Sequence, residues 1–274
     1  QNTRYAYVDD RYRAPLHGYR FVPNPQTGTN DQRYETRYAV DWAQRNKVFG
    51  VDNIAQAKFN TFDVAHTLLM GVDYYHSNSK FLGLYDRNPP IIDLYDPVYG
   101  QPMNFGQPHN WDNTTTQTGL YVQDQLKWDN WFLTVGGRYD WAEVDTREPI
   151  ANNFSNVKDE KFTGRAGLGY AFDNGITPYV SYAESFLPLS GIGRDGKPFE
   201  PSTGKQVEAG VKYQPPGQDS FIQLSVYEIK QQNILTTDLS DLSVYAQTQS
   251  GELRSRGVEL EGKANLTDNL GVIA

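Results

Sequence analysis

The four histidines, His17, His66, His76 and His109, are the side chains best suited to metal ligation or proton transfer near neutral pH. No two of them stand at a metal-ligand spacing, and no cysteine is present to complete a zinc or iron–sulfur site. Serine and aspartate are plentiful, yet no nucleophile-elbow motif gathers them into a triad. The run GIGRDG from Gly191 to Gly196 has the glycines of a phosphate loop. It lacks the lysine, and no helical pattern follows, so it reads as a flexible loop tip. Asp9–Asp10 and residues 93–96 carry carboxylates of the kind Ca²⁺ accepts, but solvated loops carry such runs as readily. The expectation is no catalytic residue, no metal ligand and no cofactor.

Charge and composition narrow the classes further. The 274 residues hold 25 Lys+Arg against 33 Asp+Glu, a net charge of −8, which lacks the basic footprint of a nucleic-acid binder. Aromatics make up 14% of the chain, against the composition of disordered segments. The longest uninterrupted apolar run, Tyr5 to Val8, is far short of the roughly 20 residues of a transmembrane helix. A membrane is still open to this chain, because barrel strands hide their apolar residues in alternation.

That alternation has period two almost throughout. Leu68, Met70, Val72 and Tyr74 share one face, and Leu69, Gly71, Asp73 and Tyr75 the other. Leu120, Val122, Leu126 and Trp128 oppose Tyr121, Gln123, Gln125 and Lys127; Leu133, Val135, Tyr139 and Trp141 oppose Thr134, Arg138 and Asp140. The same holds for Phe162–Phe172, Lys205–Tyr213 and Gly257–Ala264. Eleven strands are expected, near residues 1–8, 34–59, 64–76, 117–128, 131–144, 161–172, 176–187, 204–214, 220–233, 251–264 and from 271 onward. Parity shifts in the second between Tyr38 and Phe49, which calls for a bulge. Because strand pattern is already present at residue 3 and again at the final residues, the chain reads as an internal piece of a longer protein.

The connections alternate strictly. Long polar ones at 9–33, 77–116, 145–160, 188–203 and 235–250 are interleaved with short turns near 60–63, 129–130, 173–175, 215–219 and 265–270. A meander with tight turns at one end and long loops at the other matches an outer-membrane barrel. Phe59, Trp128, Trp131, Phe172 and Tyr213 sit beside the short turns, where an interfacial girdle places its aromatics. Asp124 alone violates the apolar face. A bulge, a partner on the next strand, or a position near the interface would each accommodate it.

Five stretches carry a family likeness: TGLYVQDQ (118–125), LTVGGRYDW (133–141), TPYVSYAESF (177–186), GKQVEAGVKY (204–213) and SRGVELEGK (255–263). In this order they resemble the barrel of TonB-dependent siderophore receptors, most closely the ferrichrome and ferrioxamine (hydroxamate) group. AHTLLMGVD (65–73) and LYDPV (94–98) extend the resemblance. It implies an all-β, transmembrane, antiparallel up-and-down barrel in the outer membrane of a Gram-negative bacterium. Residues 1–274 would be part of a barrel of about 22 strands, the size class with a plugged lumen. The plug domain and the C-terminal strands would lie outside this chain. The implied partners are a ferric siderophore, outer-membrane lipid, the protein's own plug, and the TonB complex through a missing N-terminal part.

On this reading the protein imports a ferric siderophore without covalent chemistry, and the iron arrives already chelated. A neutral hydroxamate chelate suits aromatic contact surface better than clustered cations. Tyr75, Tyr85, Tyr95, His109 and Trp111 are the expected ligand contacts. Arg138, Asp140, Arg165, Glu208, Glu259 and Glu261, with Lys212 and Lys263, are expected to face the lumen, as cross-strand pairs or in docking the plug. Two alternatives share parts of the pattern: a passive porin, and a soluble β-sandwich that binds carbohydrate.

Overall fold

The computed structural model describes residues 1–106, 108–193, 195–237, 247–267 and 270–273. The strands are β1 (Asn2–Val22), β2 (Tyr34–Thr61), β3 (Val64–Asp86), β4 (Ile92–Asp93), β5 (His109–Trp128), β6 (Trp131–Glu148) and β7 (Asn153–Tyr170). They continue with β8 (Ile176–Leu187), β9 (Ser202–Tyr213), β10 (Phe221–Thr237), β11 (Gln247–Thr267) and β12 (Leu270–Ile273). All belong to one antiparallel sheet in chain order, with the short β4 paired to the end of β2 as a side branch. A sandwich would need a second sheet, and the described residues form only this one. The sheet is open, so β1 and β12 are its edges.

Short turns close one end. Phe62, Asp129 and Gly175 take positive φ there. At Gly175 a Cβ would lie 2.1 Å from the Gln214 carbonyl oxygen, so this turn has room only for glycine. At the other end the strands run on. A tilted membrane strand needs about 9–11 residues, whereas β2 has 28 and β3 has 23. Segments expected as long loops are therefore strand: 9–22, 77–86, 109–116, and most of 145–160, where only a short turn separates β6 from β7. Their polar composition suits a sheet that has left the bilayer. The expected connection at 235–250 lies partly outside the described residues.

Register fixes the two faces. Met70 pairs with Val122 and Ala55, Leu126 with Leu133, and Val135 with Ala166, building an apolar face with broad exposed area. The opposite face carries Asp73, Gln123, Arg138, Asp140, Arg165, Glu208, Glu259 and Glu261. Near the short turns, Trp131, Tyr170 and Phe172 pack edge to face on the apolar side, with centroids 4.9 and 4.7 Å apart. Asp124 does stand on the apolar face. No register shift occurs in β5. Its partner is His66 on β3, with Nδ1 2.6 Å from Asp124 Oδ2, and the imidazole stacks on Phe59 at 4.7 Å.

The bulge expected in β2 is absent. β2 keeps continuous register with β3 from Ala39 to Thr61, and the shift instead falls in β1 between His17 and Phe21. Parity in β2 changes for another reason. Phe49 faces the apolar side, while Trp42 belongs to the polar side above the band, where aromatic rings gather inward.

One seam is short. β7 and β8 pair only from Arg165↔Ala183 to Gly169↔Tyr179. Pro178, which has no N–H to donate, stands just past the last rung, and at the other end the Glu184 carboxylate accepts the Gly164 N–H at 3.1 Å.

Candidate functional site

The expected ligand contacts separate in the structure. Tyr75, Tyr85, His109 and Trp111 all lie on the polar face of β3 and β5. Trp111 stacks on Phe81 at 5.4 Å, and Phe81 and Tyr85 stand 6.2 and 6.3 Å from Trp42, with Tyr12 on its other side at 5.8 Å. Register puts His109 beside Gly83, over which the Tyr85 hydroxyl and the Phe81 ring close to within 2.7 and 2.8 Å of where a Cβ would be. The result is a continuous aromatic surface across β1, β2, β3 and β5, on the long-strand end of the polar face. Trp42 Nε1 is buried in it without an acceptor among the described residues. Trp42 and Tyr12 were not singled out from sequence, although the inward parity of Trp42 was available once β2 was taken as unbroken.

Tyr75 is on the same face but nearer the short turns, opposite Gln117 and Gly50. Tyr95 is elsewhere. It is 79% exposed in the β4–β5 connection, against the Arg33 guanidinium at 5.9 Å. That connection is tied down rather than free. Arg33 Nε donates to both oxygens of Asp93 at 2.9 and 2.8 Å, and the N–H groups of Tyr95 and Asp96 add to Oδ1. The guanidinium holds the Asp93 carboxyl well below the usual carboxylate range.

Arg138, Asp73 and Asp140 of the polar face satisfy one another. Arg138 donates from Nε to both oxygens of Asp140 at 2.9 Å, and from Nη2 to Asp73 Oδ1 at 3.0 Å, while Nη1 also reaches Asp73 Oδ2. Gln117 Nε2 completes Asp140 at 2.8 Å. To reach Asp73 on β3 from β6, the guanidinium must cross β5, and it does so over Gly119. A Cβ there would sit 2.0 Å from Nη2. The same device recurs: Tyr121 crosses β3 at Gly71 to donate to Asp52 at 2.8 Å. Tyr179 lies over Gly210, donates to Glu208 at 2.5 Å, and accepts from Gln223 of β10 at 2.9 Å. Inward glycines are thus gaps through which long polar side chains tie alternate strands. The links made by Asp52, Asp73, Tyr121 and Tyr179 escaped the sequence reading because each skips a strand. Glu259 and Glu261 sit opposite Ser225 and Gln223, Arg165 beside Gly136, and Lys263 pairs with Asp219 at 2.6 Å.

An antiparallel meander with one apolar face, one charged face, an aromatic rim at the turn end and strands that outrun the bilayer is a segment of a transmembrane barrel wall. The chain belongs to the TonB-dependent receptor-like β-barrel family, whose model matches residues 1–274. Its place is the outer membrane of a Gram-negative cell, and the family consists of receptors and transporters, not enzymes. It is 41% identical over 246 residues to the ferrichrome outer membrane transporter/phage receptor of Escherichia coli K12, covering 86% of this chain and 32% of that protein. It is 39% identical over 228 residues to the ferrioxamine B receptor of Salmonella typhimurium SL1344, covering 83% and 32%. The chain therefore spans about a third of these relatives' length. Among solved structures, the ferric-catecholate import receptor Fiu of E. coli K12 superposes with a TM-score of 0.76 at 19% identity, over 97% of this chain and 42% of that one. The ferripyoverdine receptor of Pseudomonas aeruginosa does so at 0.71 and 21%, over 97% and 36%; at these identities the likeness bears on the fold alone.

Proposed function

We propose that the whole protein imports a ferric siderophore of the hydroxamate type across the outer membrane by TonB-coupled transport. The observation that carries this reading is the inward aromatic surface of Trp42, Phe81, Tyr85 and Trp111 above the bilayer band. A neutral chelate with alkyl and amide surface gains contact area from rigid rings, and no cluster of free cations is needed to hold it. The ferrichrome and ferrioxamine B receptors among its relatives support the same class. The open sheet also supports a partial barrel: unpaired N–H and C=O groups at β1 and β12 have no partner in hydrocarbon, so further strands close the wall. In this reading a plug fills the lumen against Arg138, Asp140, Arg165, Glu208, Glu259 and Glu261, and the N-terminal part outside this chain engages the TonB complex. The outer face meets lipid.

The test is titration of the full receptor with ferrichrome, surface expression being checked. Trp111→Ala and Tyr85→Ala are expected to weaken binding by about 1–3 kcal/mol each, the range of a well-buried contact ring. Tyr95→Ala, beside Arg33 and outside the aromatic surface, is expected to bind within twofold of wild type. Normal binding by both Trp111→Ala and Tyr85→Ala would place the site elsewhere.

A further inference from the structure

The described residues of the β8–β9 connection, 188–193 and 195–201, do not rise away from the sheet at either end. At its start, Asn113 Nδ2 of β5 donates to Ser190 Oγ at 3.2 Å, and the Gly191 N–H donates to Thr146 Oγ1 of β6 at 3.0 Å. Asn113 and Thr146 are register partners on the polar face, so the chain leaving β8 crosses β7 on the inside of the wall. At its end the Glu200 N–H donates to Gln249 Oε1 of β11 at 3.0 Å, and Gln249 Nε2 returns to the Glu200 carbonyl at 2.8 Å. Asn233 of β10 donates to the Pro201 carbonyl at 3.1 Å.

Between these anchors the chain makes a small hairpin. Ile192 bridges Pro198, Gly193 N–H donates to the Lys197 carbonyl at 2.7 Å, and Gly196 turns with φ 76°. Within the GIGRDG run, Gly191–Gly193 and Asp195–Gly196 belong to this hairpin, while Arg194 lies outside the described residues. Gly191 has φ 122°, and a Cβ there would lie 2.7 Å from the Phe199 ring, which is itself buried. Thr146 beneath is 1% exposed. Elements that open easily have few buried contacts and solvated hydrogen bonds; this one is tied and packed at both ends.

We infer that residues 188–193 and 195–201 form a fixed ledge inside the extracellular mouth that sets the size of chelate admitted to the lumen. The inference rests on the import reading above. A ledge anchored to β5–β6 on one side and β10–β11 on the other narrows the passage whether or not a ligand is bound. The hairpin tip around Asp195 and Lys197 projects as its exposed edge.

Two measurements on the full receptor in intact cells test it. In Asn113→Cys/Ser190→Cys, a short bis-thiosulfonate reagent, which forms a disulfide with each thiol and releases sulfinate, is expected to cross-link the pair in the absence of any chelate, with ferrichrome uptake staying within twofold of the untreated variant. Failure to cross-link, or loss of uptake on cross-linking, would overturn the fixed ledge. In a second variant residues 192–198 are replaced by two glycines, and binding is compared for ferrichrome and ferrichrome bearing a bulky fluorophore. The shortened ledge is expected to raise the bulky conjugate's relative affinity at least tenfold. An unchanged ratio would overturn size selection. Efficient cross-linking in cells whose wild-type receptor neither binds nor imports ferrichrome would sink the import reading while leaving the ledge in place.

Discussion

Gly119→Ala is the sharpest probe of how the charged face is held together. The new Cβ would lie 2.0 Å from Arg138 Nη2 and 2.4 Å from Cζ, so the guanidinium must leave its path across β5. It then loses both contacts to Asp73 and disturbs those to Asp140, whose side chain is only 3% exposed. Hydrogen bonds to charged groups contribute about 1.5–3 kcal/mol each, and a buried charge stripped of its partner costs about 3–5 kcal/mol. Partial loss of both puts Gly119→Ala at about 2–4 kcal/mol of destabilisation. Arg138→Met should cost about 3–5 kcal/mol alone. In that background the methyl group meets only a flexible thioether, and alanine exceeds glycine in a strand by about 0.5–1 kcal/mol. Gly119→Ala should therefore change sign and become neutral or stabilising, a coupling of about 2–4 kcal/mol. Urea unfolding of the full receptor in lipid vesicles, followed by tryptophan fluorescence and heat-modifiable gel migration, reads each corner of the cycle. Equal cost in both backgrounds, or less than about 0.5 kcal/mol in the wild type, would refute the bridging role of Arg138.

Three further outcomes are expected. Leu133→Arg on the apolar face should cost about 2–4 kcal/mol near the bilayer midplane, whereas Thr134→Arg on the polar face should cost far less; equal damage in vesicle unfolding would mean that the face assignment of β6 is wrong. Asp124→Leu alone leaves His66 in lipid without its carboxylate, while His66→Leu/Asp124→Leu restores a continuous apolar face and should be at least as stable as wild type, as buried pairs replaced by packed apolar groups often are; a double variant less stable than the single one contradicts this. Asp93 has a depressed folded-state pKa, so its anchoring by Arg33 is fully present above the ordinary carboxylate value of about 4 and is lost only as pH falls through the depressed value. The anisotropy of a fluorophore at the exposed Tyr99 position should therefore stay flat from pH 7 down to about 4, and Arg33→Met should loosen it already at pH 7; a transition between pH 7 and 5 in wild type would discount the anchor.

Period-two alternation was enough to read eleven of the twelve strands in order and, apart from the upper part of β2, to assign their faces, because a one-residue slip would put Leu133 where Thr134 belongs. What escaped was polar strand. Residues 77–86 and 109–116 look like loop because, outside the bilayer, no apolar face is required; yet Ser79 pairs with Asn113 and Phe81 with Trp111 in unbroken register. The aromatic surface was half legible: Tyr85, His109 and Trp111 could be named, but Trp42 and Tyr12 lie far away in sequence and join only through pairing. Tyr95 was grouped with them because closeness in sequence suggested one mouth, whereas Asp93 carries it off with Arg33. Links that skip a strand, such as Arg138 to Asp73, follow no sequence spacing at all.

The short pairing between β7 and β8 gives the wall a mechanical weak line. A wall under outward load parts along a thinly paired seam; leaving aside the short β4 and β12, β7–β8 has the fewest rungs among the described residues, with a proline at one end and a side-chain carboxylate standing in for main chain at the other. The segment from Ser190 to Gln249's partner Glu200 spans that line from the inside, gripping β5 and β6 on one side and β10 and β11 on the other. It works as a tie-rod across this thinly paired seam, so shortening it should lower the barrel's resistance to lateral parting as well as widen its bore.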